Sequence, residues 1–116
     1  MSGLIYKILR QTEWRNAQTQ GQLTGASVDI ADGFIHFSTA KQVRETAARH
    51  FSGEADLILL AIDPDQLGKA LRWETSRGGD LFPHLYAVLP LNKIAGVYEL
   101  PLGDDGMHKF AAQTGI

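Results

Sequence analysis

The sequence contains no cysteine. That absence removes disulfides, thiol nucleophiles and thiolate metal ligands together. It also lacks a marked excess of either charge, since 11 Lys and Arg stand against 13 Asp and Glu, for a net charge of −2. No basic footprint argues for nucleic acid, which is therefore not an expected partner. No apolar run approaches the length needed to span a membrane, and the first residues carry no secretory apolar segment. Cytoplasm is the expected compartment, with no membrane partner. There are no repeats and no low-complexity stretches. The histidines at 36, 50, 84 and 108 show neither His-x-His nor His-x-x-x-His spacing, so no metal centre is expected. Ser38 lacks the Gly-x-Ser-x-Gly setting of a nucleophile elbow, which argues against a Ser–His–acid triad.

What is present suits an ordinary folded domain. The chain has 116 residues, 44% hydrophobic and 21% charged, enough for a real core. A single domain over 1–116 is expected, with its core over about 4–100 and a C-terminal tail at 101–116.

Leu4 to Leu9 reads as a first strand, with Lys7 inside an apolar run. A helix follows, with Thr12 as a candidate N-cap, Glu13 in the first turn, Trp14 and Ala17 inward, and Gly21 at its end. Residues 21–33 read as a long loop with three glycines, Asp29 and Asp32. In Gly33-Phe34-Ile35-His36-Phe37-Ser38-Thr39 side chains alternate. A strand here puts Ile35 and Phe37 on the core face and Phe34, His36 and Ser38 on the other. Thr39 and Gln42 form a capping-box pattern that predicts a helix from about Ala40 to Phe51. Val43, Ala47, His50 and Phe51 share one face of it, which makes His50 a core histidine. Glu45 and Arg49 are spaced for a surface pair.

Leu57–Ile62 reads as a strand covered on both faces. Asp63-Pro64 starts a short helical turn. Ala70 to Glu74 alternates as a strand, with Leu71 and Trp73 opposite Arg72 and Glu74. A glycine-rich loop at 75–80 follows, flanked by Arg72 and Arg77, which could hold an anion or simply be solvated. Phe82 to Leu89 alternates again, with His84 and Tyr86 on one face and Pro83 expected at the strand's start or on an edge. Lys93 to Leu100 reads as a last strand with Val97 and Tyr98 as its packing residues, and a turn of helix near Met107–Ala112 closes the chain. His108 reads as exposed. Two main helices and about six strands define an α+β class.

The candidate site follows from the polar faces. His36 and Ser38 pair with His84 and Tyr86 if the two strands open on one cleft. Two imidazoles, a hydroxyl and a phenol would bind a phosphate, ribose or ring amide, and can act as acids and bases near neutral pH. Glu74 beside Trp73 is a candidate base. The alternatives are two unrelated half-solvated strands, an ordinary carboxylate at Glu74 and Trp73 in the core.

Four stretches carry a resemblance: Ile5-Tyr6-Lys7-Ile8, Asp32-Gly33-Phe34-Ile35-His36-Phe37-Ser38-Thr39, Leu71-Arg72-Trp73-Glu74 and Phe82-Pro83-His84-Leu85-Tyr86. Through them the sequence resembles the small bacterial family called domain of unknown function 952, over roughly residues 4 to 100. More distantly it resembles the RNA 2′-phosphotransferases, which share the ADP-ribosyltransferase fold and use NAD. The resemblance implies an ADP-ribosyltransferase-like split mixed β-sheet with a central cleft. It implies a nucleotide or phosphorylated small molecule as ligand, NAD as the cofactor, and a transferase of ADP-ribosyl or phospho groups. His36, Glu74 and His84 would be the catalytic residues. Lys7, His36, Ser38, Thr39, Trp73 and Tyr86 would bind the cofactor. One departure bears on this. The His-Gly pair that clamps nicotinamide in that superfamily falls on Lys7-Ile8, so the alternative is a non-catalytic relative acting as a ligand-binding or interaction module.

Overall fold

The computed structural model describes residues 3–116, apart from the side chain of Arg77. In chain order the elements are β1 (Ile5–Arg10), α1 (Gln11–Gln20), β2 (Gln22–Leu23), α2 (Ser27–Asp32), β3 (Ile35–His36), β4 (Ser38–Thr39), α3 (Val43–His50), β5 (Leu57–Ile62), β6 (Leu71–Thr75), β7 (Leu81–Leu85), β8 (Leu89–Pro90) and β9 (Ile94–Leu100). The strands form a four-stranded sheet in the order β4-β1-β5-β9, a three-stranded sheet β3-β7-β6, and a pair β2-β8. Every pairing is antiparallel, which corrects the expectation of a mixed sheet. With three α-helices among the described residues, the α+β class holds.

The four-stranded sheet is built on β5. All six of its residues are buried, as a continuous apolar run covered on both faces requires. One face of the sheet packs Ile5, Leu9, Ile58, Leu60 and Ile62 against Leu23, Ile35, Phe37, Leu85 and Leu89. The other packs Tyr6, Ile8, Leu57, Leu59 and Ala61 against Val43, Ala47 and Leu100. The C-terminal tail adds to the second cluster through Phe110 and Ile116. The Tyr6 hydroxyl donates to the Thr114 carbonyl at 2.7 Å. His108 is buried, with Nε2 2.8 Å from the Glu54 carbonyl, rather than exposed. The expected helical turn at Met107–Ala112 is displaced to a 3-10 turn at Ala112–Thr114.

Several local expectations shift, each for a physical reason. Strand β1 runs straight into α1, so the cap is Arg10 rather than Thr12, and Glu13 Oε1 accepts the Arg10 N–H at 2.8 Å. Residues 21–33 contain β2 and α2, so the long loop is instead a short pair of elements. The single strand expected over 34–38 is two. β3 belongs to the three-stranded sheet and β4 to the four-stranded one, and Phe37 crosses between them with its N–H on the Pro83 carbonyl at 3.0 Å. That bond also explains Pro83, which sits on the central strand β7. In a pleated strand the N and O of one residue point the same way. The missing Pro83 N–H therefore faces the place where β3 leaves the sheet. α3 begins only at Val43, and Gln42 Oε1 accepts the Thr39 N–H at 3.0 Å, half of the predicted capping box. His50 is exposed, because the helix ends there and Phe51 takes the position against the core. The strand expected to run to Leu89 is interrupted by Tyr86–Val88. Val97 lies on the edge strand β9 and is 47% exposed, so it is not a packing residue.

Candidate functional site

The site opens where β1 loses a neighbour. β4 pairs with β1 only at Ile5 and Tyr6. Beyond them the chain turns away toward β3 and the three-stranded sheet, and a cleft of about 530 Å³ remains along Tyr6, Lys7, Ile8 and Arg10. Its walls include Ala26–Val28 and Asp32 of the α2 region, His36–Ser38, Val43 and Thr46 of α3, Ser76, Phe82 and His84. That volume is in the range of small-molecule sites.

His36 and His84 are brought together. They are directly paired across β3 and β7, with ring centroids 5.4 Å apart and rings near-perpendicular at 68°. Phe34 packs on both, at 4.5 Å from His36 and 4.2 Å from His84, and lies 5.1 Å from Tyr86. Each imidazole is oriented by a carboxylate through Nδ1. His84 Nδ1 lies 2.9 Å from Glu74 Oε1, which also accepts the Tyr86 hydroxyl at 2.6 Å. His36 Nδ1 lies 2.6 Å from Asp29 Oδ1. A carboxylate only accepts, so Nδ1 carries the proton in both rings, and in His84 that leaves Nε2 as the working nitrogen. The Nε2 of His84 has no protein partner among the described residues and is not sealed from solvent. The Nε2 of His36 faces Asp32 Oδ2 at 3.0 Å.

Asp29 organises the buried half of this arrangement. Its side chain is fully buried, and it accepts from Lys7 Nζ at 2.7 and 2.9 Å, the Ala26 N–H at 2.7 Å, the His36 N–H at 3.1 Å and His36 Nδ1. Burial alone would raise its carboxyl. The His36 bond, the Lys7 charge and bond, and the Ala26 bond outweigh burial and hold it at about 2. For Lys7 the balance differs: burial pulls its ammonium below the ordinary lysine range against the attraction of Asp29. Lys7 sits on the same face of β1 as Ile5 and Leu9, within apolar packing, so Asp29 is what makes a charge tolerable there. Glu74, near the surface, is held below the usual carboxylate range by the bonds from Tyr86 and His84, and the same contact raises the Tyr86 phenol.

The other expected residues divide. Ser38 lines the cleft, but its hydroxyl is engaged with that of Thr46 at 2.8 Å. Thr39 and Trp73 lie elsewhere, lining a second hollow of about 590 Å³ with Leu4, Ala40 and Leu71. Trp73 is 46% exposed there, neither core nor cleft, because β6 is an edge strand and its Trp73 face points away from His84. Arg72 stacks over the Tyr86 ring at 5.1 Å, and the Arg77 side chain lies outside the described residues. Sequence reasoning missed Asp29 and Asp32 as site residues. The available signal was an acid three residues past Ala26, the N3 position of a helix ending at Asp32-Gly33. Among the described residues no group of three or more His, Asp and Glu is arranged to hold a metal ion. No helix among them is long and apolar enough to cross a membrane.

The fold and cleft define a small antiparallel α+β protein with a histidine-lined pocket between two sheets. The profile of the family described as Protein of unknown function (DUF952) matches residues 8–97, and the chain belongs to that family. It is similar to the crystal structure of protein CC0527 from Caulobacter crescentus, with 46% identity, a TM-score of 0.92, and coverage of 97% of this chain and 99% of that one. The solution NMR structure of CC0527 gives 47% identity and a TM-score of 0.84 over 95% of each chain. No curated protein matches the chain.

Proposed function

We propose that the chain is a small-molecule-binding protein of ADP-ribosyltransferase-like architecture whose cleft takes a nucleotide-like ligand. The observation that carries this reading is the meeting of two carboxylate-oriented histidines on one wall of the cleft, 5.4 Å apart. Side chains fixed in one orientation by buried or shared carboxylates are costly to assemble for packing alone, and useful for recognising hydroxyl and amide groups. The separation of the β1–β5 sheet from the β3–β7 sheet around the cleft is what a split-sheet relative would have. In an enzymatic version, His84 Nε2 is the group placed to accept a proton from a bound hydroxyl, and Glu74 orients it.

The nicotinamide clamp of that superfamily does not fit. Its position carries Lys7, whose ammonium is committed to Asp29, and Ile8, which is buried in the core. Neither residue can hold a nicotinamide ring or its ribose in the way the superfamily's His-Gly pair would. This favours a second reading, a binding module that kept the cleft and lost the transfer reaction. Calorimetry with NAD, ADP-ribose and the nucleoside monophosphates tests both. Binding of at least one that His36→Ala weakens is expected, without turnover under the second reading. No heat from any of them at about millimolar concentration would end the nucleotide reading, since that is the weak limit of a specific site.

A further inference from the structure

The cleft has many ionisable side chains, yet its fixed cations are already taken. Lys7 is held by Asp29 at 2.7 Å. Arg10 donates Nε and Nη2 to the two oxygens of Glu54 at 2.8 and 2.9 Å, and its Nη1 lies 3.8 Å from Glu13. The imidazole of His36 faces Asp29 and Asp32, and that of His84 faces Glu74. Arg72, outside the lining, lies over Tyr86 and acts on Glu74. His50, exposed, completes the titratable lining. On the lining itself, among the described residues, Asp32 is the one carboxylate beside Lys7 and Arg10, and behind the lining Glu13, Asp29, Glu54 and Glu74 already hold Lys7, Arg10 and the two histidines.

A phosphate entering this cleft would have to break an internal ion pair and approach Asp32, a carboxylate on the lining whose side chain is 48% exposed. Both carry a cost, because charges in a partly desolvated cleft interact strongly. A hydroxyl meets a different surface. Asp32 accepts from it, His84 Nε2 can accept from it, and the rings of Tyr6, Phe37 and Phe82 offer apolar faces beside these groups. We propose that the cleft recognises the neutral, hydroxyl-bearing nucleoside part of its ligand rather than a phosphate, and that Asp32 is the residue that sets this preference. The proposal rests on the nucleotide-like reading above and narrows it. The phosphate of a bound nucleotide then stays in solvent. Asp32 works by charge: as a carboxylate it attracts donors and repels anions, whereas the isosteric amide does neither as strongly.

The test is calorimetry of the full chain with the four common ribonucleosides and their 5′-monophosphates, at low and high salt, for the natural protein and Asp32→Asn. The exposed position of Asp32 makes loss of folding a minor risk, and a thermal melt of the variant checks it. The nucleoside is expected to bind at least as tightly as its monophosphate, with affinity insensitive to salt. Asp32→Asn should weaken the nucleoside by about tenfold, the scale of one lost charged hydrogen bond, and weaken the monophosphate less, because the amide no longer repels its phosphate, so that the preference for the nucleoside shrinks. A monophosphate that outbinds its nucleoside about tenfold in the natural protein, with the steep salt dependence of an anion site, would overturn the proposal while sustaining the nucleotide-like reading. An unchanged preference in Asp32→Asn would remove Asp32 from the role. Failure of every nucleoside and monophosphate to bind would end both readings.

Discussion

The two histidine–carboxylate pairs of the cleft look alike in a contact diagram and differ in everything else. Asp29 is fully buried, receives four separate donor groups, and has its carboxyl held at about 2. Glu74 is half-buried, shares one oxygen between Tyr86 and His84, and is lowered chiefly by those two bonds. The first pair ties β1, α2 and β3 into one unit, so the fold depends on it. The second pair lies on adjacent strands β6 and β7 that are already joined by five residue pairs, so the fold does not need it. A carboxylate can thus orient a histidine in two ways, as a buried keystone or as an adjustable surface partner, and mutations should separate the two.

The largest effect is expected at Asp29. Asp29→Asn leaves the Lys7 charge buried without its counter-ion, a change that costs about 3–5 kcal/mol in comparable sites. The same carboxylate makes a pH prediction. Its folded value lies below the unfolded value of 3.8, so its contribution is complete above that value and is lost as pH falls toward about 2. The contribution is on the order of 2 kcal/mol from a shift of that size. Urea unfolding between neutral and strongly acid pH checks both. Asp29→Asn should be much less stable at neutral pH and should lose the acid-dependent part of the natural protein's curve. A variant as stable as the natural protein would show that the pair is not a keystone.

A smaller effect is expected from Gly25, which packs behind Asp29. Its φ is +126°, and a Cβ there would lie 2.7 Å from the Asp29 Cβ. Gly25→Ala therefore combines backbone strain with a clash against a side chain that four donors hold in place. A loss of about 1–3 kcal/mol is expected, the usual scale of such strain. Because the clash displaces Asp29, the proton-coupled step should shrink with it. An unchanged urea midpoint would mean that Asp29 has room to move.

How far the sequence foretold these differences depends on the kind of pattern that carries each element. β5 was legible because six consecutive apolar residues admit little else, and the end of α1 because Gly21 marks it. His36 and His84 were legible as a pair because each alternates against an aliphatic row. α2 was not, because it is six residues long and exposes Val28 and Ile30, so it has no apolar face to read. With α2 unseen, Asp29 and Asp32 were two polar residues in a loop. The split of the strand at Phe37 was also hidden, since alternation continues across it while the hydrogen-bonding partner changes. Trp73 and Val97 misled because alternation gives a face, not whether anything covers it.

The smallest effect on stability, and the clearest contrast with Asp29, is expected at Glu74. Glu74→Gln keeps the shape and removes the charge from a half-exposed position, so the urea midpoint should stay close to that of the natural protein. The change should instead appear in its partners. The Tyr86 phenol is raised because its proton is held by the Glu74 carboxylate, and an amide holds it less strongly. Its ionisation should move back down toward the ordinary tyrosine value, read from the Tyr86 ring signals in an NMR pH titration. His84 should at the same time lose its single orientation, because Gln can donate as well as accept and no longer fixes the Nδ1 proton. A Tyr86 titration that did not move would mean that Glu74 does not govern this half of the site. An equal loss of stability in Glu74→Gln and Asp29→Asn would erase the distinction between keystone and surface partner.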